Sequence, residues 1–215
     1  MTFHRHSSAR GSVFSYPLVI LLLTAALLTS CTPSESGEDA QDSTAPTFAV
    51  NPDDLGEEYV SDALGISFQP PRDWPLLEGD AKEQVLGSLP DDSDPAQPVD
   101  VFFSIETMSF AVLQRPADED GRLLSVAEYD PLLSEALAPG DDPAGVIASE
   151  RTEFSVNNVD VIHYRHVVAD RIGASLLFEG PDNTAILLQY SLPASAMDSQ
   201  LRKVESSIGT LRRLR

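Results

Sequence analysis

The sequence predicts an α+β fold, an antiparallel β-sheet flanked by helices, from three observations. Stretches that alternate apolar and polar residues recur in the second half of the chain between short turn sequences, which is the pattern of antiparallel strands. Ser125 and Glu128 have the spacing of a capping box that begins a helix. Residues 194–211 repeat apolar side chains along one helix face. Together these elements predict a layered α+β domain.

The first part of the domain is predicted to contain a short strand, a short helix and a long strand. Residues 64–71 place Ile66 and Phe68 on one face and end in a double proline, which indicates a short strand. Residues 80–89 are predicted to form a short helix, followed by an acidic, proline-broken loop. Residues 99–114 have a strand-like pattern over their length, which predicts one long strand.

Two helix signals lie close together in the middle of the chain. The capping box at Ser125 begins a helix that is expected to reach Leu137. Asp130 followed by Pro131 has the form of a second helix start, because proline is favoured at the first helical position. The helix is therefore expected to be kinked or split at this proline.

A strand meander and a final helix are predicted to complete the domain. Asn157 and Asn158 tolerate positive φ and therefore suit a two-residue hairpin turn. The predicted strands are 149–156, 159–168, 174–178 and 185–192. The helix over 194–211 is predicted to bury one apolar stripe and to carry cations at its C-terminal end, where the helix dipole favours them. The stripe is Met197, Leu201, Val204, Ile208 and Leu211, and the cations are Arg212, Arg213 and Arg215.

The first thirty residues have the three parts of a secretory signal. Arg5 and Arg10 supply positive charge, and residues 13–28 follow without a charged side chain. This apolar run is shorter than the about 20 residues that a bilayer-spanning helix needs, and it fits the core of a signal peptide. Residues 28–31, Leu-Thr-Ser-Cys, resemble the lipobox of bacterial lipoproteins. In that family the cysteine thiol takes a diacylglyceryl group and the peptide is cut before the cysteine.

The lipobox resemblance implies that residues 1–30 are a signal peptide and that Cys31 is lipidated. Cys31 is the single cysteine of the chain, so no disulfide, thiolate metal site or thiol nucleophile is available to the remaining residues. The protein is then expected to be anchored in the cell membrane or outer membrane, with its domain outside the cytoplasm. An uncleaved signal anchor with an incidental cysteine is the alternative.

Residues 31–58 are predicted to form an acidic flexible tether. They contain eight Asp or Glu residues and no Lys or Arg, and prolines interrupt them. Low hydrophobicity with charge of one sign keeps such a segment extended, with a reach of roughly 25–30 Å. Phe48 and Val50 are candidates to dock on the domain as an edge strand. The folded domain is predicted to span residues 59–215.

The acidic composition excludes nucleic acid as a partner. The chain has 14 Lys plus Arg against 34 Asp plus Glu, a net charge of −20. Removal of residues 1–30 takes away two arginines and no acids, which leaves a net charge of −22. Binding to nucleic acid needs a basic face that neutralises phosphates, and peripheral binding to anionic lipid needs one as well.

Residues 64–74, LGISFQPPRDW, resemble the opening of PsbP-like domains. The predicted elements from Tyr59 to Leu211 also follow in the order of that family. The resemblance implies a layered α+β sandwich. The family includes an extrinsic subunit of photosystem II, bacterial envelope lipoproteins and eukaryotic adaptors, so the fold by itself implies little about function. None of the family's metal or partner residues can be placed on this sequence, and none is carried over.

His163 and His166 are the only histidines after the signal segment. A histidine pair can bind a metal or act as a base. Residues three apart in a strand, however, point to opposite faces of the sheet. We therefore expect two separate histidines and no shared metal ion.

Other candidate site residues are interpreted as structural. The acidic loops at 91–94 and 141–142 lack the spacing of a calcium-binding loop. Ser195 and Ser199 lack the elbow sequence of a serine nucleophile. Trp74 is interpreted as a core residue, with a pocket position as the alternative. The acids Glu150, Glu153, Asp160 and Glu179 are interpreted as charges on exposed strand faces.

These observations favour a non-catalytic module with no cofactor and no metal. The expected partners are the membrane, through the lipid anchor, and either an envelope protein or a small apolar ligand. An envelope hydrolase that uses carboxylate or histidine chemistry is the alternative. Convergence of acids and His163 in one pocket would favour the hydrolase, whereas an apolar groove would favour binding.

Overall fold

The computed structural model describes residues 48–87, 96–140 and 145–214. In chain order the strands and helices are β1 (Tyr59–Ser61), β2 (Ile66–Phe68), α1 (Gly79–Leu86), β3 (Ala96–Ser104), β4 (Ser109–Pro116), α2 (Val126–Ala136), β5 (Val146–Val156), β6 (Val159–Val168), β7 (Arg171–Glu179), β8 (Ala185–Pro193), α3 (Met197–Ile208) and β9 (Arg212–Arg213). Short 3-10 turns occupy Pro52–Asp54, Pro181–Asn183 and Ala194–Ala196.

Six of the strands form one sheet in the order β3-β4-β8-β7-β6-β5. Every neighbouring pair in this sheet is antiparallel. A smaller antiparallel sheet has the order β1-β2-β9. The predicted fold class, an α+β fold with an antiparallel sheet and flanking helices, is confirmed.

The two faces of the large sheet pack into separate apolar clusters. Neighbouring residues of a strand point to opposite faces, and in β7 Leu176 and Leu177 belong to different clusters. The cluster of Leu176 includes Val204 and Ile208 of α3, and the cluster of Leu177 includes Leu133 of α2. A slip of one residue in register would exchange the side chains between the two clusters and disrupt the packing of both.

The predicted hairpin turn at Asn157 and Asn158 is confirmed. Both residues have positive φ, 47° and 63°, and they join β5 to β6. The Asn157 side-chain amide also donates hydrogen bonds to the carbonyls of Gly209 and Leu211, at 2.9 and 3.0 Å. This turn therefore links the sheet to the end of α3.

The single long strand predicted over residues 99–114 is wrong, because the chain reverses within it. β3 ends at Ser104 and β4 begins at Ser109, and the two strands pair with each other. The turn contains no glycine, proline or asparagine, and Met108 supplies the positive φ, 53°. Side chains other than glycine, asparagine and aspartate adopt this conformation rarely, so the sequence carries no turn signal here. Ile105 is 83% exposed at the tip of the turn.

α2 runs without a break from Val126 to Ala136, so of the two predicted forms, kinked or split, the split at Pro131 is wrong. The predicted capping box is confirmed: the Ser125 side chain accepts from the Glu128 backbone, and the Glu128 side chain accepts from the Ser125 backbone. Pro131 lies inside the helix and removes the hydrogen bond that would end on the Ala127 carbonyl. Asp130 instead accepts from Tyr164 of β6 at 2.6 Å and pairs with an arginine. Tertiary contacts thus hold the helix together across the proline.

The C-terminal arginines form a strand, which corrects the prediction that they end the last helix. α3 stops at Ile208, and β9 pairs with β2. Arg212 forms an ion pair with Glu58, and Arg213 forms one with Glu179. Arg215 lies outside the described residues. Arg212 and Arg213 therefore lie in the small sheet, with Arg213 paired to β7 of the large sheet, and they do not cap α3.

Residues 48–58, predicted as the end of the tether, lie against the folded domain. The Phe48 ring lies 4.8 Å from the Phe154 ring, measured between centroids. Leu55 is buried, and the backbone N–H of Asn51 donates to Ser206 of α3. Phe48 and Val50 do not form the expected edge strand. The folded region thus already includes Phe48 rather than beginning at Tyr59.

Asp54 fixes residues 48–58 to α3 through a buried carboxylate. It is 4% exposed, lies 2.9 Å from the Arg202 guanidinium, and accepts from the Asn51 amide at 2.7 Å. Burial favours the protonated acid, but the hydrogen bonds from Arg202 and Asn51 outweigh it and lower the pKa of Asp54 below its ordinary value. Asp54, which was predicted to lie in the acidic tether, is therefore a structural residue of the folded domain.

Several predictions fall on residues outside the described part of the chain. These are the signal peptide at 1–30, the lipidation of Cys31, most of the tether, and the acidic loops at 91–94 and 141–142. Among the residues that are described, none of the helices has the length and apolarity needed to cross a membrane.

A candidate binding groove between helix α3 and the sheet

A groove of about 390 Å³ lies between α3 and the face of the large sheet. β6, β7 and β8 supply its floor, α3 supplies one wall, and β5 and Phe48 supply the other. This volume lies within the range of small-molecule pockets in proteins. Its apolar lining includes Ile172, Ala174, Leu192, Met197, Leu201 and Val204.

The groove exists because α3 covers only part of the sheet face. The predicted apolar stripe of this helix faces the sheet, and Val204 and Ile208 are almost fully buried there, at 2% and 3% exposure. Met197 and Leu201, in the first turns of the helix, are only partly buried and line the groove. Part of the apolar stripe is therefore left uncovered by the residues that the structure describes.

A small residue in the floor gives the groove its depth. Ala174 of β7 lies between Arg165 of β6 and Tyr190 of β8 in the strand register. Its methyl group fills much less of the surface than these two large neighbours. The floor is therefore recessed at Ala174, with the charged Arg165 on one side and the ring of Tyr190 on the other.

The polar groups of the groove lie mainly along β5 and β6. Glu150 and Thr152 come from β5, His163 and Arg165 come from β6, and Glu205 comes from α3. The Glu150 carboxylate accepts from the Arg165 guanidinium at 2.8 Å, with both side chains more than half exposed. This surface ion pair neutralises the charge of that side of the groove.

His163 is held in place by two neighbours. Its Nδ1 lies 3.3 Å from the Thr152 hydroxyl oxygen, and its ring contacts the edge of the Phe154 ring at a centroid distance of 5.9 Å. Burial is the main cause that lowers the pKa of His163 below its ordinary value, and the Arg165 charge lowers it further. The imidazole is therefore neutral near pH 7, when it can both donate and accept a hydrogen bond.

His166 faces away from the groove, as predicted for residues three apart in a strand. β6 pairs with β7 without a bulge in this region, so the alternation of faces is maintained. The His166 ring occupies the space in which a Cβ of Gly173 would lie, with Nε2 only 2.0 Å from that position. Its Nδ1 is buried without a hydrogen-bond partner, and burial lowers its pKa. Gly173 is thus required by the packing of His166.

Gly173→Ala is expected to destabilise the protein by about 1–3 kcal/mol, because the new methyl group displaces the His166 ring from an overpacked site. Urea unfolding followed by circular dichroism measures the change. The double variant Gly173→Ala, His166→Ala is expected to lose less than the sum of the two single changes. If Gly173→Ala alone leaves the unfolding midpoint unchanged, the ring does not occupy this position.

The other candidate residues do not converge on a reactive centre. No group of three or more His, Cys, Asp or Glu side chains in the described ranges is placed to hold a metal ion. Glu153 pairs with Arg151, Asp160 accepts from Ser155, and Ser199 donates to the Ala196 carbonyl. Ser195 is exposed in the turn before α3.

Trp74 is a core residue, as interpreted from the sequence. It is 2% exposed and donates its indole N–H to the Gln200 side-chain oxygen at 3.2 Å. Its ring contacts Tyr190 at a centroid distance of 6.1 Å, and Tyr190 in turn lines the groove. Trp74 therefore packs beside Tyr190 on the same face of the sheet as the groove, without lining the groove.

Comparison with known proteins identifies similar structures but no matching sequence family. No family model matches this chain, and no curated protein matches it. Sixteen chains of solved structures do match.

The cyanobacterial PsbP protein of Synechocystis is among these structures. The solution structure of that protein matches with 13% identity and a TM-score of 0.41, over 73% of this chain and 91% of the PsbP chain. A crystal structure from Bacteroides thetaiotaomicron matches with 12% identity and a TM-score of 0.38, over 74% of this chain and 49% of that chain. This chain therefore spans about half the length of the Bacteroides protein. Both similarities concern the fold alone.

Proposed function

We propose that this chain is a lipid-anchored, non-catalytic binding module of the bacterial envelope, and that the groove beside α3 holds a small apolar ligand. The observation that carries the proposal is the groove itself. Met197 and Leu201 continue the apolar stripe of α3 beyond the part that the sheet buries. Occupation of the groove by an apolar molecule would remove these side chains from water, at about 25 cal/mol per Å² buried.

The groove favours a small ligand over a protein partner. It is a concave space of about 390 Å³ rather than a flat surface. Small-molecule sites are typically concave and mostly apolar, with few polar groups that orient the ligand. Here the polar groups are confined to one side, at Thr152, His163 and the Glu150–Arg165 ion pair, together with Glu205 on the helix.

The lipobox resemblance and the tether support the envelope location. Cys31 is unique in the chain and stands directly after the predicted signal peptide. A lipid group at Cys31 and the acidic segment that follows would hold the groove within tens of ångströms of a membrane. A membrane-anchored module of this kind would be well placed to hold apolar molecules that are poorly soluble in water.

The hydrolase alternative lacks an oriented base or nucleophile among the described residues. A catalytic histidine is usually oriented by a carboxylate or a carbonyl. The Nδ1 of His163 lies beside the Thr152 hydroxyl, and Glu150 is engaged with Arg165. The acids and His163 do meet in one groove, but Glu150 is paired with Arg165, the partner of His163 is a hydroxyl group, and most of the remaining lining is apolar.

Binding of N-phenyl-1-naphthylamine, an uncharged apolar dye, tests the proposal with the full chain. We expect saturable binding with one dye per protein, seen as an increase in dye fluorescence. In Ala174→Phe the new ring fills the recess in the groove floor, and we expect affinity at least tenfold lower.

Ala136→Phe is the matched control, because it adds the same ring at an exposed position of α2. Circular dichroism verifies that both variants fold. Unsaturable binding to the native protein, or equal affinity in Ala174→Phe and the native protein, would overturn the proposal.

A further inference from the structure

We infer that the ligand of the groove is an uncharged amphiphile whose polar head, a hydroxyl or carbonyl group, forms a hydrogen bond with Nε2 of His163. This inference rests on the proposed function and names the ligand class. It follows from the distribution of polar groups in the groove, from the hydrogen bonding of His163, and from the local balance of charge.

The strand register places the polar and apolar parts of the floor at different points. Ile172 pairs with Leu192, and this row of the sheet is apolar. Two residues along β7, Ala174 lies in one row with Tyr190 and Arg165. His163 follows in the next row, beside Leu176. An elongated ligand would therefore have apolar contacts at the Ile172 row, pass the Glu150–Arg165 ion pair beside Ala174, and reach His163 in the row beyond.

One nitrogen of His163 remains for a ligand. Nδ1 is 3.3 Å from the Thr152 hydroxyl, which fixes the orientation of the ring. Nε2 has no hydrogen-bond partner among the described residues, and His163 lines the groove. Because the neutral imidazole can present either a donor or an acceptor at Nε2, it fits a hydroxyl head or a carbonyl head.

The charges around the groove disfavour a charged head. The charged groups that line it are Glu150 on β5, Arg165 on β6 and Glu205 on α3. Glu150 and Arg165 pair with each other at 2.8 Å, so Glu205 is left as the net charge. A carboxylate head would meet this negative charge in a protein that is already strongly acidic. An ammonium head at His163 would be repelled by the Arg165 charge, which already lowers the pKa of that imidazole, and Glu205 is exposed on α3, where an ion pair contributes little.

Competition among three molecules with the same ten-carbon chain tests the inference. 1-Decanol, decanoate and decyltrimethylammonium are titrated, below their aggregation limits, against the full chain loaded with N-phenyl-1-naphthylamine. We expect decanol to displace the dye at concentrations at least fivefold lower than either charged molecule. His163→Phe is expected to weaken decanol about fivefold to tenfold, the effect of one lost hydrogen bond.

Two variants of His163 separate hydrogen bonding from packing. His163→Phe keeps an aromatic ring but cannot form the hydrogen bond, whereas His163→Gln keeps a donor and an acceptor and should largely restore decanol affinity. The dye affinity of each variant is measured separately and used to calibrate its competition. If the dye binds but decanol and decanoate compete equally, or His163→Phe leaves decanol unaffected, the inference is wrong while the proposed function stands. If the dye does not bind the native protein, the proposed function fails and the inference fails with it.

Discussion

Trp74→Ala is expected to lower the free energy of unfolding by about 3–5 kcal/mol, as large-to-small changes at buried aromatic positions do. The side chain is almost fully enclosed, packs against Tyr190 and belongs to the cluster on the α3 side of the sheet. Its removal leaves a cavity and also leaves the Gln200 side chain, 5% exposed, without the indole donor. Burial of an unsatisfied polar group adds to the loss.

Trp74→Phe is the matched control for the contribution of the indole. It keeps an aromatic ring in the core but cannot donate to Gln200, and we expect a smaller loss, of about 1–2 kcal/mol. Trp74 is the only tryptophan, so unfolding in urea must be followed by circular dichroism rather than by its fluorescence. A loss below about 1 kcal/mol in Trp74→Ala would show that the residue does not support the core.

Cys31→Ala is expected to abolish membrane attachment, the largest effect on location of any single change. The proposed lipid anchor depends on this thiol, and the chain contains no other cysteine. Two or more acyl chains give a lasting anchor, whereas the net negative charge of residues 31–215 disfavours binding to anionic lipid. Growth of the producing bacterium with radiolabelled palmitate, followed by membrane fractionation, measures both lipidation and location.

Ser36→Ala is the control for the Cys31 experiment, because it alters a small polar side chain in the tether and leaves the lipobox intact. We expect label and membrane association in the native protein and in this control, and neither in Cys31→Ala. A native protein without label, or a labelled Cys31→Ala variant, would contradict the anchor.

Local signals in the sequence predicted those elements whose cause is local. The turn at Asn157 and Asn158 needs only residues that tolerate positive φ, and the capping box at Ser125 needs only one reciprocal pair of hydrogen bonds. The apolar stripe of α3 was likewise visible as a repeat in the sequence. In each case the residues that form the structure lie within a few positions of one another.

Two features that the sequence did not predict depend on contacts distant in sequence, and a third has no sequence signal. Pro131 remains inside α2 while the preceding Asp130 is bonded to Tyr164, 34 residues away. Residues 48–58 are held to α3 by the contact of Asp54 with Arg202, 148 residues away. Their acidic composition alone predicted a flexible tether. The turn before β4 uses positive φ at Met108, for which the sequence provides no signal.

The groove could be predicted only in part. Met197 and Leu201 were correctly assigned to the apolar stripe, and His163 was correctly separated from His166. That Met197 and Leu201 would stay partly uncovered, and that Phe48, β5 and the small Ala174 would complete the groove, could not be predicted from the sequence. These are relations between four separate segments of the chain, and no pattern within one segment reveals them.

Methyl NMR of the full chain during titration with N-phenyl-1-naphthylamine shows whether an apolar ligand enters the groove. We expect saturable shifts at Ile172, Leu192, Met197 and Leu201, which line the groove. We expect unchanged signals at exposed methyl groups elsewhere, on Ile105 at the β3–β4 turn and on Leu132 of α2. Shifts confined to those exposed methyl groups, with none in the groove, would show that the apolar ligand binds elsewhere and that the groove is not the binding site.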